Sequence, residues 1–383
     1  MSEYIRTLDL AVLLQKKSYF LFGPRAVGKS HLIREQLSGR AQIFNLLDNA
    51  LFVRLSQAPH LLSALIEKID EKPWVVIDEV QLIPVLLNEV HKLIEEKHVT
   101  FLLTGSSARK LKRGKANMLA GRAREARLLP LTYQELQPFD LARYLQYGGL
   151  PSIVSQPEPE EDLHAYVTTY LREEIQAEAV VRDIPAFARF LEMSALTSGS
   201  LLNFSKISSD VGLSVPTIRE YYYMLEDTFL GFMLPPYQKT KKRKPIQTAK
   251  FYFFDVGVTN TLANIAMLPV QSDLYGNAFE HFIAMELKAY LNYRRKLGVD
   301  LTFWQEKNGK KVDFIVGDQL AIEVKTTQKI QEKHLKGLRF FMEEQCCKRH
   351  IVVSHDPMVM HLEGVDAFPW EHFLQQLWGD ELL

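Results

Sequence analysis

The sequence predicts an α/β protein: a parallel sheet wrapped by helices in the first third, a helical middle, and a smaller α/β unit in the last third. Three observations carry that expectation. The apolar strand Ser18 to Phe22 runs straight into Gly23-Pro24-Arg25-Ala26-Val27-Gly28-Lys29-Ser30 and a helix. A second apolar strand, Trp74 to Ile77, ends in Asp78 and Glu79. Near the far end, Val312 to Val316 and Ala321 to Lys325 are short apolar runs interrupted by Asp313, Glu323 and Lys325.

With 383 residues the chain is long enough for two or three domains. Its 47% hydrophobic and 24% charged residues are ordinary for a globular protein and argue against disorder. The formal net charge of zero means that nucleic acid would have to be met by local patches. Cys346 and Cys347 are adjacent, a spacing that fits neither a disulfide framework nor a zinc site. No stretch approaches a membrane span, and Met1 to Arg6 lacks the apolar core of a signal peptide, so a cytoplasmic protein without a membrane partner is expected.

The stretch Gly23 to Ser30 has the Walker A spacing, in which successive backbone N–H groups cradle a polyphosphate. Gly23 and Gly28 can take positive φ and let the backbone approach the phosphates. Lys29 reaches the β and γ phosphates, and the Ser30 hydroxyl is placed to ligate magnesium. The helix from His31 to Leu37 points its positive end at the anion. The expected nucleotide-binding residues are therefore Gly23, Pro24, Arg25, Ala26, Val27, Gly28, Lys29, Ser30 and His31, with ATP and magnesium as cofactors.

Further strands and helices alternate in order: a strand at 41–48, a helix from His60 to Ile69, and then the Walker B strand. Asp78 would hold the magnesium through its shell, and Glu79 would orient or deprotonate the attacking water. The same two acids could instead cap the following helix. The strand Val99 to Leu103 ends in Thr104-Gly105-Ser106-Ser107, and a polar strand tip in a doubly wound sheet faces the ligand. Thr104, or else Ser106, is the candidate γ-phosphate sensor. A basic stretch follows: Arg109, Lys110, Lys112, Arg113, Lys115, Arg122, Arg124 and Arg127. Arg122, with Arg124 behind it, is the candidate arginine finger for a neighbouring subunit's nucleotide; a solvated basic face is the alternative. Leu128 to Leu131 is expected to close the sheet, and the nucleotide domain to end near Tyr133.

From Gln134 the pattern turns helical, with a turn at Tyr147 to Pro151 and a helical run from His164 to Ile175. Lys206 to Ser214 reads as helix, turn and N-cap, with Pro216 just inside the next helix. Ile218, Tyr222, Leu225 and Phe229 share one face of it, leaving Thr217, Arg219, Glu220 and Tyr223 outward. That is the pattern of a helix-turn-helix whose second helix could enter a DNA major groove. Strands at 229–234 and 250–254 would flank a wing holding Lys239, Lys241, Lys242, Arg243 and Lys244. DNA contacts are expected from Thr217, Arg219, Tyr223, Lys241, Lys242, Arg243 and Lys244. A winged helix that packs against protein is the alternative.

In the last third, a three-residue hairpin loop at 317–319 pairs Val316 with Leu320. It also sets Asp313 opposite Glu323, with Lys325 on the same face. Carboxylates so opposed have Cβ atoms roughly 5 Å apart and need neutralising, for which magnesium or manganese is the natural candidate. Asp313 and Glu323 would bind the metal, Glu280 would assist from its helix, and Lys325 would activate water or stabilise charge at a scissile phosphate. An exposed amphipathic hairpin is the alternative. A helix from Gln331 and a strand His350 to Val353 complete an αβββαβ order.

With these motifs in order, nearly the whole chain resembles a family of bacterial and archaeal AAA-type ATPases with a C-terminal domain of unknown function and a PD-(D/E)xK nuclease-like fold. The resemblance rests on Gly23 to Ser30, Ile77-Asp78-Glu79, Leu103 to Ser106, Leu119-Ala120-Gly121-Arg122, Tyr147 to Pro151, the winged-helix stretch, Phe253 to Gly257, Val312-Asp313-Phe314 and Ile322 to Lys325. It implies an AAA-type P-loop NTPase core at 1–133, a helical lid with a winged helix at 134–255, and a PD-(D/E)xK nuclease-like α/β domain at 256–383. Ala26 departs from it, standing where related loops often have glycine, a change compatible with negative φ there. Lys311 stands where an acid often precedes Val-Asp-Phe. The expectation is a magnesium-dependent ATPase that binds DNA and remodels or processes it, branched DNA included, as a homo-oligomer, with the nuclease-like domain either cleaving DNA or silent. The alternative is an ATP-driven protein-binding switch in defence or signalling.

Overall fold

The computed structural model describes residues 4–66, 74–107, 109, 111, 119–171 and 183–383. Two units contain them: the first comprises Met1–Leu131, Leu150–Ser155 and Tyr221–Leu230, the second Thr132–Gly149, Gln156–Glu220 and Gly231–Leu383.

The first unit is built on five parallel strands: β1 (Ser18–Phe22), β2 (Ala41–Asn45), β3 (Trp74–Asp78), β4 (Thr100–Gly105) and β5 (Ala123–Arg127), in the order β2-β3-β4-β1-β5. The central strands are apolar along their middles because helices cover both faces of a parallel sheet; β1 and β3 are buried along their whole length. Phe20, Phe22, Val75, Ile77, Phe101 and Leu103 fill one face together with Leu86, Leu87, Val90 and Leu93 of the helix Leu86–Lys97. Those helix positions recur at the spacing of one helical face. Because β4 lies between β1 and β3, its polar tip falls between the loop after β1 and the acids after β3.

The sheet closes earlier than expected. The edge strand is Ala123–Arg127, whereas Leu128 to Leu131 are buried without being a strand. An edge strand exposes part of each side chain row, so β5 tolerates the exposed Arg124 and Glu125 that hide it in the sequence. The second strand stops at Asn45, and the helix read from His60 is described over Leu61–Ile66, the remainder lying outside the described residues. Lys110, Lys112, Arg113 and Lys115 also lie outside them.

In the second unit, Asp183 and Asn203 cap the helices Ile184–Leu196 and Phe204–Val211 by accepting from Ala186 N and Lys206 N. Gly212, at φ 75°, ends the latter and starts the turn into the helix Val215–Asp227, whose last turns belong to the first unit. Ile218, Tyr222 and Leu225 are buried as expected, and so are Tyr221 and Met224. Phe229 lies beyond the helix end, at φ 60°, where its ring stacks on Phe22 at 5.0 Å. An antiparallel pair, β6 (Gly231–Leu234) and β7 (Lys250–Phe253), follows. The helical run from His164 continues as a wider turn, Tyr166–Leu171, and its end falls outside the described residues.

The long helix Asp273–Tyr293 precedes a six-stranded mixed sheet. Its strands are β8 (Leu301–Gln305), β9 (Lys311–Val316), β10 (Leu320–Lys325), β11 (Arg349–Ser354), β12 (Met360–Leu362) and β13 (Val365–Pro369). The order is β12-β13-β11-β10-β9-β8, antiparallel from β8 to β10 and parallel from β10 through β11 to β13. Val316 pairs with Leu320, the register read from the hairpin. The helix Glu332–Met342 packs Leu335, Leu338 and Phe341 onto Trp304, Val312, Ile315 and Val352.

Candidate functional site

At the nucleotide loop the two glycines serve different needs. A Cβ on Gly23 would sit 2.3 Å from the Leu128 carbonyl oxygen, so only glycine lets the loop pack this closely. Gly28 has φ 93°, where a Cβ would meet Pro151 Cγ at 3.9 Å, and precedes the helix Lys29–Leu37; the first N–H groups of a helix point back toward the residues that precede it. Ala26 adopts φ 63°, which corrects the expectation of negative φ at this departure. A left-handed conformation strains a residue with a Cβ. Val27 is fully buried, Arg25 partly exposed, and Ala26 and His31 exposed.

Lys29 is buried and donates to the carbonyls of Gly23 at 2.7 Å and Pro24 at 2.8 Å, so its ammonium already spans the mouth of the loop. Ser30 Oγ donates to Asp78 Oδ2 at 2.8 Å. Thr104 Oγ1 donates to Asp78 Oδ1 and accepts from the Glu79 backbone N–H at 2.9 Å. The expected sensor thus holds the Walker B acids in register. Glu79 takes φ 64°, and Gln81 Nε2 donates to its carboxylate. Ser106 is reached by the same Gln81 nitrogen at 3.3 Å. Ser30 and Asp78 are oxygen donors of the type that suits magnesium, which would draw its other ligands from phosphate and water.

Two residues here had no local signal in the sequence. Gln81 is 5% exposed and sits two residues past the acids. Arg6 is 8% exposed and donates to the Val27 carbonyl at 3.0 Å and the Leu129 carbonyl at 2.6 Å, stapling the loop to the chain beyond β5. The Arg6 contacts and that of Gln81 with Ser106 span long sequence separations, so no spacing rule reveals them. Arg122 pairs with Glu95 of its own unit, the two side chains being 38% and 52% exposed. Arg124 is exposed on β5, and the Arg127 guanidinium lies 5.3 Å from the Phe229 ring centroid.

On the helix Val215–Asp227, Arg219 and Tyr223 are exposed and Thr217 is partly so; Arg219 lies 5.0 Å from the Phe204 ring centroid. The expected wing is placed differently from a free loop. Its flanks pair with the edge strand β8, through Tyr237 N to Phe303 O at 2.6 Å and Ile246 N to Gln305 O at 2.9 Å. The buried Glu344 accepts from the backbone N–H groups of Lys241 and Lys242, both at 2.8 Å, and from Arg243 at 3.0 Å. Arg243 also pairs with Glu343 and stacks 3.7 Å from the Phe340 ring centroid. Its guanidinium is engaged by Glu343, Glu344 and the Phe340 ring, where a phosphate contact was expected. Lys241, Lys242 and Lys244 remain exposed.

The expected acidic cluster does assemble, but with partners that only the fold supplies. Asp313 is 1% exposed; its Oδ2 accepts from Val324 N at 2.9 Å and its Oδ1 lies 2.8 Å from Lys311 Nζ. Lys311 Nζ is also 3.7 Å from Glu280 Oε2. Glu280 Oε1 accepts from Lys250 Nζ at 2.9 Å and Tyr252 hydroxyl at 2.7 Å. Lys325 Nζ donates to Glu323, which is 4% exposed. The neutralisation expected of a divalent ion is therefore supplied by Lys250, Lys311 and Lys325. Burial would raise the Asp313 pKa, but Lys311 and the other ammonium groups hold it well below the usual carboxylate range. Burial, with the Asp313 charge beside it, pushes Glu323 up. Among the described residues no three His, Cys, Asp or Glu side chains are disposed to hold a metal ion.

Residues 15–137 match the family model of an AAA domain, residues 138–268 that of a domain of unknown function (DUF8612), and residues 275–373 that of another (DUF4143). An uncharacterized protein of Haemophilus influenzae (strain ATCC 51907 / DSM 11121 / KW20 / Rd) is 27% identical over 277 residues, covering 66% of this chain and 67% of that protein. The solved structure of AMPPCP-bound DnaA from Aquifex aeolicus aligns over 56% of this chain and 85% of its own, at 12% identity and a TM-score of 0.29, too low for a shared fold to be read from it. No helix among the described residues is long and apolar enough to cross a membrane. With its loop, its acids and its five-stranded parallel sheet, the chain carries an AAA-type P-loop ATPase domain followed by domains of unknown function.

Proposed function

We propose that the protein is a magnesium-dependent ATPase that binds and remodels DNA, branched DNA included, as a homo-oligomer. The observation that carries hydrolysis is the hydrogen-bonded set Ser30, Asp78, Thr104 and Glu79 at the tips of β1, β3 and β4. Magnesium supplies the Lewis acid at the β and γ phosphates when nucleotide is bound. The loop N–H groups and Lys29 bind the phosphates; Ser30 and Asp78 hold the ion; Glu79 orients water; Thr104 reports on the γ phosphate through the acids it ties together. Arg122, or Arg124, serves a neighbouring subunit's nucleotide, for which Arg122 must leave Glu95.

The helices Phe204–Val211 and Val215–Asp227 with the ribbon β6–β7 are read as a winged helix within a lid at 134–255, following an ATPase core at 1–133. Thr217, Arg219, Tyr223, Lys241, Lys242 and Lys244 then face DNA. Residues 256–383 are read as a PD-(D/E)xK nuclease-like domain in a non-cleaving role, because its acids are paired with lysines. The tied-down loop at Arg243 favours a second reading, an ATP-driven switch that binds protein. ATP turnover measured with duplex, single-stranded and branched DNA, with strand products followed in the same samples, separates them. DNA-stimulated turnover with strand movement supports remodelling; turnover indifferent to every DNA overturns it.

A further inference from the structure

We propose that Lys311 takes the place of a divalent cation in the acidic cluster, leaving a carboxylate site closed to metal that opens when Lys311 is replaced by an acid. Three carboxylates reach this site from separate elements: Glu280 from the helix Asp273–Tyr293, Asp313 from β9 and Glu323 from β10. The Lys311 ammonium bridges two of them, at 2.8 Å from Asp313 and 3.7 Å from Glu280. Bridging carboxylates of different elements is what a bound cation does, and the ammonium does it from within the chain.

The charges also balance without an ion. Lys250 holds Glu280, Lys311 holds Asp313, and Lys325 holds Glu323. A divalent ion entering this set would add charge beside three ammonium groups in a buried place, where like charges are poorly screened. It would also find too few free oxygens. Tyr252 and Lys250 occupy Glu280 Oε1, and Val324 N occupies Asp313 Oδ2. Glu323 Oε2 and Asp313 Oδ1 have no hydrogen-bond partner among the described residues, but Lys311 Nζ stands 2.8 Å from Asp313 Oδ1, so an ion would have to displace that ammonium. Replacing Lys311 by glutamate removes the bridging ammonium and brings two carboxylate oxygens to the same place. Asp313, Glu280 and the new acid would then surround a site that only a cation can neutralise. The proposal deepens the non-cleaving reading of this unit and is independent of ATP hydrolysis, since its test uses nucleotide-free protein.

The test is manganese binding to the full chain without nucleotide, read from the spectrum of free manganese ion. Wild type and Asp313→Asn should bind alike. Lys311→Glu should gain a site at least ~10-fold tighter than any in the wild type, and Lys311→Glu combined with Asp313→Asn should lose it again. Manganese bound by the wild type and lost in Asp313→Asn would overturn the proposal, as would a folded Lys311→Glu that gains nothing. Thermal unfolding gives a second readout: the midpoint should respond to manganese alike in wild type and Asp313→Asn, and should rise further in Lys311→Glu. A wild-type rise that disappears in Asp313→Asn would be fatal to the idea.

Discussion

Ser30 Oγ and Asp78 Oδ2 lie 2.8 Å apart, joining the first turn of the helix after the phosphate loop to the end of β3. Two oxygen donors so placed are pre-organised to share an ion, so little reorganisation is needed when nucleotide arrives. Removing Lys29, which already bridges the loop carbonyls, should lower ATP turnover by roughly 100-fold or more. Phosphate release by Lys29→Ala equal to that of wild type would refute the assignment. Asp78→Asn should weaken the response to magnesium more than it weakens nucleotide binding.

Ala26 sits at φ 63° in an exposed part of the loop. Glycine adopts that conformation without a Cβ penalty, so Ala26→Gly should stabilise the first unit by about 1 kcal/mol. Urea unfolding with nucleotide absent is the measurement, and a destabilised variant would show that the strain is not expressed.

Arg6 fixes the Val27 carbonyl, and a peptide plane held by its carbonyl presents the following N–H, that of Gly28, on the opposite side. Arg6→Met should therefore raise KM for ATP by roughly tenfold, about 1.4 kcal/mol, with a smaller change in kcat. Arg6→Lys should recover part of the loss. Equal KM values for wild type and Arg6→Met would remove Arg6 from the phosphate site.

Glu344 holds the backbone at Lys241 and Lys242 as well as the Arg243 guanidinium. Glu344→Ala should destabilise the second unit by about 1–3 kcal/mol through the orphaned backbone N–H groups, whereas Glu343→Ala, at an exposed position, should cost much less. Chemical denaturation of the two variants gives the ranking.

Glu286 accepts from Tyr133 N at 2.8 Å and Trp378 Nε1 at 2.7 Å, and burial pushes its pKa up to about 8. The folded chain then keeps a proton that the unfolded chain releases near its ordinary value of 4.5. Stability from this group is full below the unfolded pKa and falls as pH rises toward 8, by about 1 kcal/mol per pH unit in that window. Above the folded pKa its pH dependence ends. Glu286→Gln should lower stability overall and flatten this slope; an unchanged slope would assign the dependence elsewhere.

Much of the first unit was legible because its signals are contiguous. Gly23 to Ser30 and Ile77 to Glu79 are single runs whose chemistry depends on consecutive backbone and side-chain positions. The register of β9 and β10 was legible for the same reason, since a three-residue loop and a period of two leave one pairing. β5 was not, because an edge strand accepts charged residues and so lacks an apolar signature. What holds the expected wing was not legible, because Glu344, which ties down its backbone, lies about a hundred residues away.

The amino-acid order by itself therefore determined the phosphate loop, its acids and the alternation of strand and helix, all set by local spacing and burial pattern. Only the tertiary structure decided the state of the acidic cluster. Asp313 and Glu323 announced a pair of opposed charges, but Lys250 on β7, Lys311 on β9 and Lys325 on β10 reach them only after the strands and the helix bearing Glu280 have packed. Neutralisation is a property of distance in space, and sequence spacing specifies that distance only within one element or one tight turn.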